Sequence, residues 1–330
     1  MIDELHRPLK DLRISVTDRC NFRCQYCMPA EKFGSDYPFL PKSELLNFEE
    51  MTRAAQIFVA LGVRKIRLTG GEPLLRQDLP VLIARLAEIQ HLEDIALTTN
   101  GLLLPKFARS LKDAGLKRIN ISLDSLKSDF GEINGRGVSP QEIIEGIYSA
   151  QEAGLGVKIN MVVKKGMNAD QIVPMAEFCK KESIQLRYIE FMDVGNCNDW
   201  NLDRVMTKAE ILSILAEHYS LEEVPRAYGD VAQRYRHRDC GTEIGFITSV
   251  SETFCSSCTR ARLSANGKIY TCLFSEDGHD LRKLLRLGAS DEEITDYISH
   301  IWPNRADRYS ELRATETKRR NKVEMRFIGG

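Results

Sequence analysis

The stretch Cys20-Asn-Phe-Arg-Cys24-Gln-Tyr-Cys27 places three thiols at spacings of four and three residues, directly after an apolar, strand-like run at residues 12–16. Cubic iron–sulfur clusters that only carry electrons are held by four thiolates. A triad instead leaves one iron free to bind another molecule, as the open position of a catalytic zinc does. An accidental triad at these spacings is expected under about one time in a hundred. A zinc site with a distant fourth ligand and three packed cysteines are the alternatives.

A second motif, Gly70-Gly-Glu-Pro73, follows another strand-like run at residues 65–68. Two glycines allow the backbone to approach a ligand closely, and the Glu72 carboxylate is suited to receive an ammonium group. A glycine-rich turn with proline is common in loops, so this motif gains its meaning from the triad upstream.

Length and composition agree with a soluble enzyme that has a sizeable core and either about two domains or one barrel with an appendage. The chain has 330 residues, of which 43% are hydrophobic, and a formal net charge of −1. This balance gives no reason to expect DNA, RNA or an anionic membrane as a partner. The N-terminus lacks the apolar run of a signal peptide, and the nine cysteines are an odd number. We therefore expect a cytoplasmic protein with metal-bound or reactive thiols.

Strand-like runs alternate with amphipathic helix patterns along the first 200 residues. The helix signals include capping boxes at Asn47 with Glu50 and at Ser139 with Glu142, and stops at Gly62 and Gly154. The predicted strands are residues 12–16, 65–68, 94–98, 118–123, 157–163 and 185–190. Six such alternations predict parallel strands with right-handed crossovers, in a barrel or an open α/β sheet. Six units are fewer than the eight of a full TIM barrel, so we expect an incomplete (βα)6 TIM-like barrel of the α/β class.

Four polar segments come directly after predicted strands. They are the cysteine triad, the Gly-Gly-Glu-Pro turn, Thr98-Thr-Asn-Gly101 and Ser122-Leu-Asp-Ser125. Because ligands in parallel α/β folds bind beyond the carboxyl ends of the strands, these segments predict one shared site.

The pattern changes near residue 200, which predicts domains at 1–200 and 201–330, the second being an α+β extension that covers the barrel opening. This region holds Cys255-Ser-Ser-Cys258 and Cys272, a second triad. Between them, Asn266-Gly267 predicts a hairpin with a type I′ turn. Zinc stays an alternative here, since Cys240, His237 or His279 are available as a fourth ligand.

The first triad and the Gly-Gly-Glu-Pro turn together resemble the radical S-adenosylmethionine (SAM) superfamily. With the second triad, the chain resembles the GTP 3′,8-cyclase family of molybdenum-cofactor biosynthesis over nearly its whole length. The matching segments are residues 12–29, 70–76, 187–192 and 255–274, and the terminal Gly329-Gly330.

The resemblance implies a lyase with two [4Fe-4S] clusters, one on Cys20, Cys24 and Cys27 and the other on Cys255, Cys258 and Cys272. The first cluster would cleave SAM to a 5′-deoxyadenosyl radical, which would remove the 3′ hydrogen of GTP. Closure of the ribose onto C8 would give (8S)-3′,8-cyclo-7,8-dihydroguanosine 5′-triphosphate. The second cluster would hold guanine. The resemblance also implies an electron donor, a downstream cyclic pyranopterin monophosphate synthase and a homodimer.

The family's ligand contacts carry over to individual positions. For SAM these are Tyr26, Gly71, Ser122 and Met192, and for GTP they are Arg13, Arg67, Thr98, Lys158, Arg260, Ala261 and Arg262. The residues themselves support Arg13 and Arg67, because a charge within an apolar strand is costly to bury without a partner. Ordinary packing is the alternative for Tyr26, Ser122 and Met192, a salt bridge for Arg13 and Arg67, and exposed hairpin charges for Arg260 and Arg262.

The C-terminal tail is basic and ends in two glycines, which have no side chains. Lys318, Arg319, Arg320, Lys322 and Arg326 precede Gly329-Gly330. The resemblance implies that this tail inserts near the active site and is essential, whereas a frayed terminus is the ordinary expectation. Of the remaining cysteines, Cys179 is predicted to pack on a helix, and Cys197 and Cys240 belong to no motif.

Three other classes of protein share part of this pattern. A radical SAM enzyme that acts on a peptide would share the N-terminal half and an auxiliary cluster. A non-catalytic electron carrier would bind iron but neither SAM nor nucleotide. A binding module stabilised by zinc would contain no iron.

Overall fold

The computed structural model describes residues 1–313 and 322–329. Its strands are β1 Asp11–Ser15, β2 Lys65–Thr69, β3 Asp94–Thr99, β4 Arg118–Ser122, β5 Gly156–Val163, β6 Gln185–Glu190, β7 Leu221–Val224, β8 Gln233–His237, β9 Glu243–Ile247, β10 Arg260–Leu263, β11 Lys268–Tyr270 and β12 His279–Asp280. Its helices are α1 Phe48–Ala60, α2 Leu79–Ala87, α3 Leu104–Asp113, α4 Phe130–Ile133, α5 Pro140–Glu152, α6 Ile172–Lys181, α7 Lys208–Ala216, α8 Leu281–Arg286, α9 Asp291–Ile301, α10 Tyr309–Leu312 and α11 Met325–Ile328.

All six predicted strands form, with ends that differ by one residue at most. The helix starts follow their caps. Asn47 and Glu50 form a reciprocal capping box at the start of α1, and Ser139 and Glu142 do so at the start of α5. These boxes satisfy backbone N–H groups that a helix start leaves without partners.

β1 to β6 lie side by side in chain order, and every neighbouring pair is parallel. The C-terminal region extends both edges of this unit. β10 pairs in parallel with β1, β9 pairs in parallel with β6, and the full order is β12-β11-β10-β1-β2-β3-β4-β5-β6-β9-β8-β7. The strands at both edges of the partial barrel therefore gain hydrogen-bond partners from the C-terminal region.

Side-chain alternation along the strands separates the core from the barrel interior. Leu12 and Ile14 on β1 are fully buried in the hydrophobic core, and so are Ile66 and Leu68 on β2. The residue between each pair is an arginine that lines a central cavity. Because successive strand residues point to opposite faces, one strand supplies both the apolar core and a charged cavity wall.

The turn between β10 and β11 differs from the predicted two-residue type I′ turn. The Gly267 N–H donates to the Ser264 carbonyl, and Gly267 has a left-handed φ of 77°, whereas Asn266 does not have a positive φ. A type I′ turn requires a positive φ at both central residues, so the type I′ prediction is wrong. A type I turn closed by a left-handed glycine takes its place.

Cys179 is buried on α6, as predicted. Within residues 1–313 and 322–329, no helix combines the length and apolarity needed to cross a bilayer.

Candidate active site with two cysteine triads

The first triad lies in the loop that follows β1. The Cys27 N–H donates to the Cys24 carbonyl over 3.0 Å, which folds the loop back on itself. The Arg23 guanidinium fastens the loop by donating to the carbonyls of Cys20, Phe22 and Phe33 at 2.6–2.8 Å. Burial raises the pKa of Cys20 to about 12 and that of Cys27 to about 11. These thiols would therefore need a strong cationic partner to act as thiolates near neutral pH.

Gly70 and Gly71 pack against the backbone of this loop. A Cβ on Gly71 would lie 2.2 Å from the Arg19 carbonyl oxygen, and one on Gly70 would lie 2.4 Å from that of Thr17. The Gly71 N–H donates to the Thr17 carbonyl at 2.8 Å. The two glycines thus bring the end of β2 directly onto the cysteine loop, and no residue with a side chain fits in their place.

Glu72 joins the ends of β2 and β3. Its carboxylate is buried and accepts hydrogen bonds from Leu74 N–H, Thr99 Oγ1 and Asn100 N–H at 2.6–3.0 Å. Burial raises the pKa of Glu72 to about 7. The sequence suggested that this carboxylate receives an ammonium group, but the structure engages it with three donors of the chain itself.

Of the residues predicted to contact SAM, Gly71, Tyr26 and Ser122 lie around the first triad and the end of β4, and Met192 lies on the wall of the central cavity. Gly71 lies beside the first triad, and Ser122 ends β4. The Tyr26 hydroxyl donates to Asp124 Oδ2 at 2.6 Å, just beyond β4. Met192 follows β6 and lines the central cavity.

The second triad lies among arginines. Arg260 Nη2 donates to Cys258 Sγ at 3.0 Å, and Arg305 Nη2 donates to the same sulfur at 3.2 Å. Burial would raise the pKa of Cys258, but these two guanidiniums outweigh it and lower that pKa to about 6. The electrostatic setting of Cys258 is therefore opposite to that of Cys20.

A cavity of about 770 Å³ opens onto this triad. Its lining includes all three cysteines of the second triad and most of the residues predicted to contact GTP. The lining residues that the sequence predicted are Arg13, Arg67, Thr98, Lys158, Met192, Cys255, Cys258, Arg260, Arg262 and Cys272.

The strand register explains how these cations come together. Arg262 on β10, Arg13 on β1 and Arg67 on β2 are register partners across three adjacent parallel strands. In-register residues on neighbouring strands share one face of the sheet. Three guanidiniums consequently form a row on the cavity wall.

The cavity wall carries excess positive charge. Burial and the charges of Arg262 and Arg67 hold the pKa of Arg13 well below its usual value. Burial and Arg187 lower the pKa of Arg67 to about 9, and burial with Arg187 and Arg118 lowers that of Lys158 to about 8. These cations repel one another, so an anion in the cavity would be stabilised by all of them.

Several buried polar atoms of this wall have no partner in the protein. Among the described residues they include Arg67 Nε, Thr98 Oγ1, Asn160 Oδ1, Arg187 Nε and Arg260 Nη1. Buried polar groups are normally hydrogen-bonded, so the four donors of this set, Arg67 Nε, Thr98 Oγ1, Arg187 Nε and Arg260 Nη1, indicate a ligand with several acceptor oxygens, and Asn160 Oδ1 indicates a donor on the same ligand.

Arg187 and Asn160 were not predicted as site residues. Arg187 lies within β6, so the argument that singled out Arg13 and Arg67, a charge within a strand, would have found it. Asn160 is a neutral polar residue within β5, two residues after Lys158, and an uncharged polar residue in a strand is a weaker signal than a charged one.

Ala261 differs from its neighbours on β10. It is 1% exposed and belongs to the hydrophobic core, whereas Arg260 and Arg262 line the cavity. The strand's alternation turns its side chain away from the cavity, so the predicted contact with GTP is not made by this side chain.

The described part of the tail enters the barrel. Ile328 is fully buried, and Arg262 Nη1 donates to the carbonyls of both Ile328 and Gly329. Gly329 has a φ of 71° and lies against Thr69 at the end of β2. Arg326 and Lys322 are described, whereas Lys318, Arg319, Arg320 and Gly330 lie outside the described residues.

Within residues 1–313 and 322–329, no three His, Cys, Asp or Glu side chains are gathered closely enough to hold a metal ion. The fit to iron–sulfur clusters rests on donor chemistry. The first triad offers three free cysteines on one short segment. The second offers two free cysteines before the β10–β11 hairpin and one after it. Thiolates are the ligands that such clusters take.

The two halves of the chain match two known families. Residues 14–179 match the Radical SAM superfamily, and residues 184–311 match the family described as Molybdenum Cofactor Synthesis C. Relatives from Staphylococcus aureus strains JH9 and Newman, each named GTP 3′,8-cyclase, are 53% identical over 334 residues, which cover 99% of this chain and 98% of each relative. The chain belongs to the GTP 3′,8-cyclase family of the radical SAM superfamily.

A solved structure has the same fold as this chain. The crystal structure of Streptococcus suis SuiB bound to S-adenosylmethionine superposes with a TM-score of 0.59 at 18% identity, over 89% of this chain and 68% of that chain. The predicted partial TIM barrel is confirmed. Membership in the radical SAM superfamily also implies SAM and an iron–sulfur cluster as cofactors.

Proposed function

We propose that this protein is an enzyme that converts GTP to (8S)-3′,8-cyclo-7,8-dihydroguanosine 5′-triphosphate, the first step of molybdenum-cofactor biosynthesis. The match to Molybdenum Cofactor Synthesis C and the two relatives named GTP 3′,8-cyclase support this function. When bound, an iron–sulfur cluster on Cys20, Cys24 and Cys27 together with SAM would supply the 5′-deoxyadenosyl radical that removes the 3′ hydrogen of GTP.

The row of cations in the cavity is the observation that carries the proposal. Arg262, Arg13 and Arg67 stand in register, and Lys158 and Arg187 lie on the same wall. A triphosphate brings several negative charges and many acceptor oxygens, which would relieve the repulsion among these cations. The unpaired Nε atoms of Arg67 and Arg187 are available donors for it.

The second triad lies at the same cavity and suits the guanine end of GTP. Cys255, Cys258 and Cys272 would hold a second cluster, because three thiolates leave one position for a nitrogen or oxygen of the base. Arg260 lines the cavity beside them. Phosphates on the arginine row and guanine at the triad would fix the substrate at two points, which holds the ribose in place.

Residues near the first triad would position SAM. Gly71 is proposed to bind its amino group through the backbone, and Ser122 its carboxylate or ribose. Tyr26 is proposed to contact SAM while its hydroxyl stays bonded to Asp124. Met192 is proposed to lie near the adenine. The contact proposed for Ala261 would be made by its backbone.

The tail would complete the site. Gly329 lies between Thr69 on β2 and Arg262, one of the cavity cations. A closed site protects a carbon radical from water and from side reactions. We propose that Gly329 and Gly330 are essential for the radical step.

The remaining expectations are proposals of the same kind. They are a homodimer, a separate electron donor, a downstream cyclic pyranopterin monophosphate synthase, a cytoplasmic location, and a division into regions 1–200 and 201–330. The last places the boundary in the loop after β6, whereas the first family match ends at residue 179 and the second begins at residue 184, before that strand.

The test is anaerobic reconstitution with iron and sulfide, followed by dithionite, SAM and GTP. 5′-Deoxyadenosine and the cyclised nucleotide are measured in the same reaction, and the proposal predicts both. Deoxyadenosine without conversion of GTP would favour an enzyme that acts on a peptide. The absence of both products would favour an electron carrier or, if the metal is zinc, a binding module.

A further inference from the structure

The N-terminal segment contacts the second cysteine triad through a buried group of one carboxylate and two arginines. The Asp3 carboxylate accepts a hydrogen bond from Arg7 Nε at 2.6 Å and one from Arg305 Nη1 at 3.2 Å. All three side chains are at most 1% exposed. A buried ionic group of this kind holds its members in one arrangement, because breaking a pair would leave a charge without a partner.

Both arginines that bind Asp3 also donate hydrogen bonds to the triad. Arg7 Nη1 donates to the Cys255 carbonyl at 2.9 Å. Arg305 Nη1 donates to the Cys258 carbonyl at 2.8 Å, and its Nη2 donates to Cys258 Sγ at 3.2 Å. The indole of Trp302 stacks on the Arg305 guanidinium, with 4.7 Å between the guanidinium carbon and the ring centre. Arg305 is thereby fixed in position and orientation.

The charges at this place do not balance within the protein. Arg7 and Arg305 share one buried carboxylate, and Asp307 is one-third exposed with its Oδ2 3.5 Å from Arg305 Nε. Arg260 adds a further guanidinium on the same sulfur. The surplus is positive and faces Cys258.

The first triad has a different setting. Cys20 Sγ accepts a hydrogen bond from the backbone N–H of Phe22 at 3.3 Å. Buried carboxylates lie near its thiols: that of Glu72 acts on Cys20, and that of Asp124 acts on Cys24 and Cys27. In the described part of the chain no guanidinium donates to a sulfur of the first triad, so the paired contacts of Arg260 and Arg305 with Cys258 Sγ distinguish the second triad from the first.

We propose that Arg305, held by Asp3, is a positioning residue that makes the cluster on Cys255, Cys258 and Cys272 easier to reduce. Positive charge and hydrogen bonds at ligand sulfurs stabilise the more negative, reduced form of a cluster. This inference rests on the second cluster of the proposed function. Arg305 does not belong to the row of Arg262, Arg13 and Arg67. The property that it is proposed to set is the reduction potential of the second cluster, which the proposed contacts with GTP do not concern.

The experiment is a redox titration of the reconstituted full-length enzyme, without SAM or GTP. Dithionite supplies one electron to each cluster in the presence of mediators, and electron paramagnetic resonance follows the two reduced clusters. The variants are Arg305→Gln and Arg305→Lys. The control is Arg109→Gln on α3, a side chain that is 81% exposed. Iron content is measured for each protein.

In Arg305→Gln, the ratio of reduced to oxidised second cluster at a fixed potential is expected to fall about tenfold, equivalent to about 59 mV for one electron. Arg305→Lys keeps the charge but not the paired hydrogen bonds, so a smaller fall is expected. The first cluster and the Arg109→Gln enzyme are expected to titrate as in the wild type.

Three results would overturn the proposal. One is a change of less than about twofold in that ratio while both clusters keep their iron. Another is loss of the second cluster's iron in both Arg305 variants, which would assign this residue to assembly alone. The third is a wild-type enzyme that holds the iron of one cluster only, which would remove the second cluster from the proposed function as well.

Discussion

Gly329 lies directly against Thr69, and a Cβ atom added to Gly329 would fall 2.0 Å from Thr69 Cγ2. Gly329 also has a φ of 71°, a conformation that residues with side chains rarely adopt. Gly329→Ala should therefore unseat the tail. We expect formation of the cyclised nucleotide to fall about 100-fold, as for other displacements of about 1 Å near a reacting group, while the iron content stays unchanged.

Gly166→Ala is the matched control. Gly166 has a similar φ of 76°, but a Cβ there would meet nothing within 4 Å. This variant should lose about 1 kcal/mol of stability from backbone strain and keep its activity. Full activity of Gly329→Ala, or of a chain lacking Gly329 and Gly330, would remove the proposed role of the tail.

Arg67→Gln tests the cavity cations. The folded state lowers the pKa of Arg67 to about 9, so the charged form is unfavourable in the empty cavity. Removing the charge of Arg67 should therefore raise the free energy of unfolding of the protein without GTP, by about 1–3 kcal/mol. Each pKa unit corresponds to about 1.4 kcal/mol, and water in the cavity screens part of the effect. GTP binding should weaken about tenfold or more. Thermal unfolding and calorimetric titration with GTP measure the two effects.

A variant that lost both stability and GTP affinity would show instead that Arg67 is paired within the protein. Arg109→Gln on the surface should change neither quantity, because that side chain is mostly exposed.

Lys158 should give GTP binding a dependence on pH. Its pKa is lowered to about 8 by burial and by the charges of Arg187 and Arg118, so above this value it is mostly neutral in the empty cavity. GTP affinity should therefore fall between about pH 7 and pH 9. Because the unfolded chain keeps this proton up to its ordinary pKa of 10.5, Lys158 should make the empty protein more stable as pH rises from about 8 to 10.5.

Binding measured at several pH values in Lys158→Met should lose most of this slope. A wild-type slope that survives in Lys158→Met would assign the titration to another group.

Arg326 should anchor the tail. Its guanidinium donates to the Tyr37 hydroxyl at 2.6 Å and stacks on the rings of Phe33 and Tyr37 at 4.7 and 4.8 Å. In Arg326→Gln, we expect hydrogen exchange of the amides in residues 325–329 to speed up about tenfold, from the loss of about 1.4 kcal/mol. Exchange that is unchanged in this variant would show that the other tail contacts suffice.

Local patterns predicted much of the fold. The capping boxes at Asn47 and Ser139 set the helix starts, and the apolar runs around Arg13 and Arg67 set the strands, because both signals arise from neighbouring residues. The addition of β9 and β10 to opposite edges of the barrel could not be predicted in this way. It depends on pairing between segments that are far apart in sequence, such as Asp11 with Arg260.

In the site, too, local patterns predicted some residues, and contacts between distant segments determined the others. Charges within apolar strands led to two of the cavity cations, and the same signal extends to Arg187. Arg305 carries no such signal, because its partners Asp3 and Cys258 are brought to it by the tertiary structure alone. The glycines at positions 70 and 71 approach the cysteine loop closely, a contact that the sequence did not predict, and their approach to a ligand stays a prediction.

The most direct test of the account is transfer of deuterium from GTP that is deuterated at C3′. In the anaerobic reaction with dithionite and SAM, 5′-deoxyadenosine should gain one deuterium, and the cyclised nucleotide should form in equal amount. Deoxyadenosine that carries no deuterium, with GTP recovered unchanged, would contradict the assignment of GTP as the substrate held in this cavity.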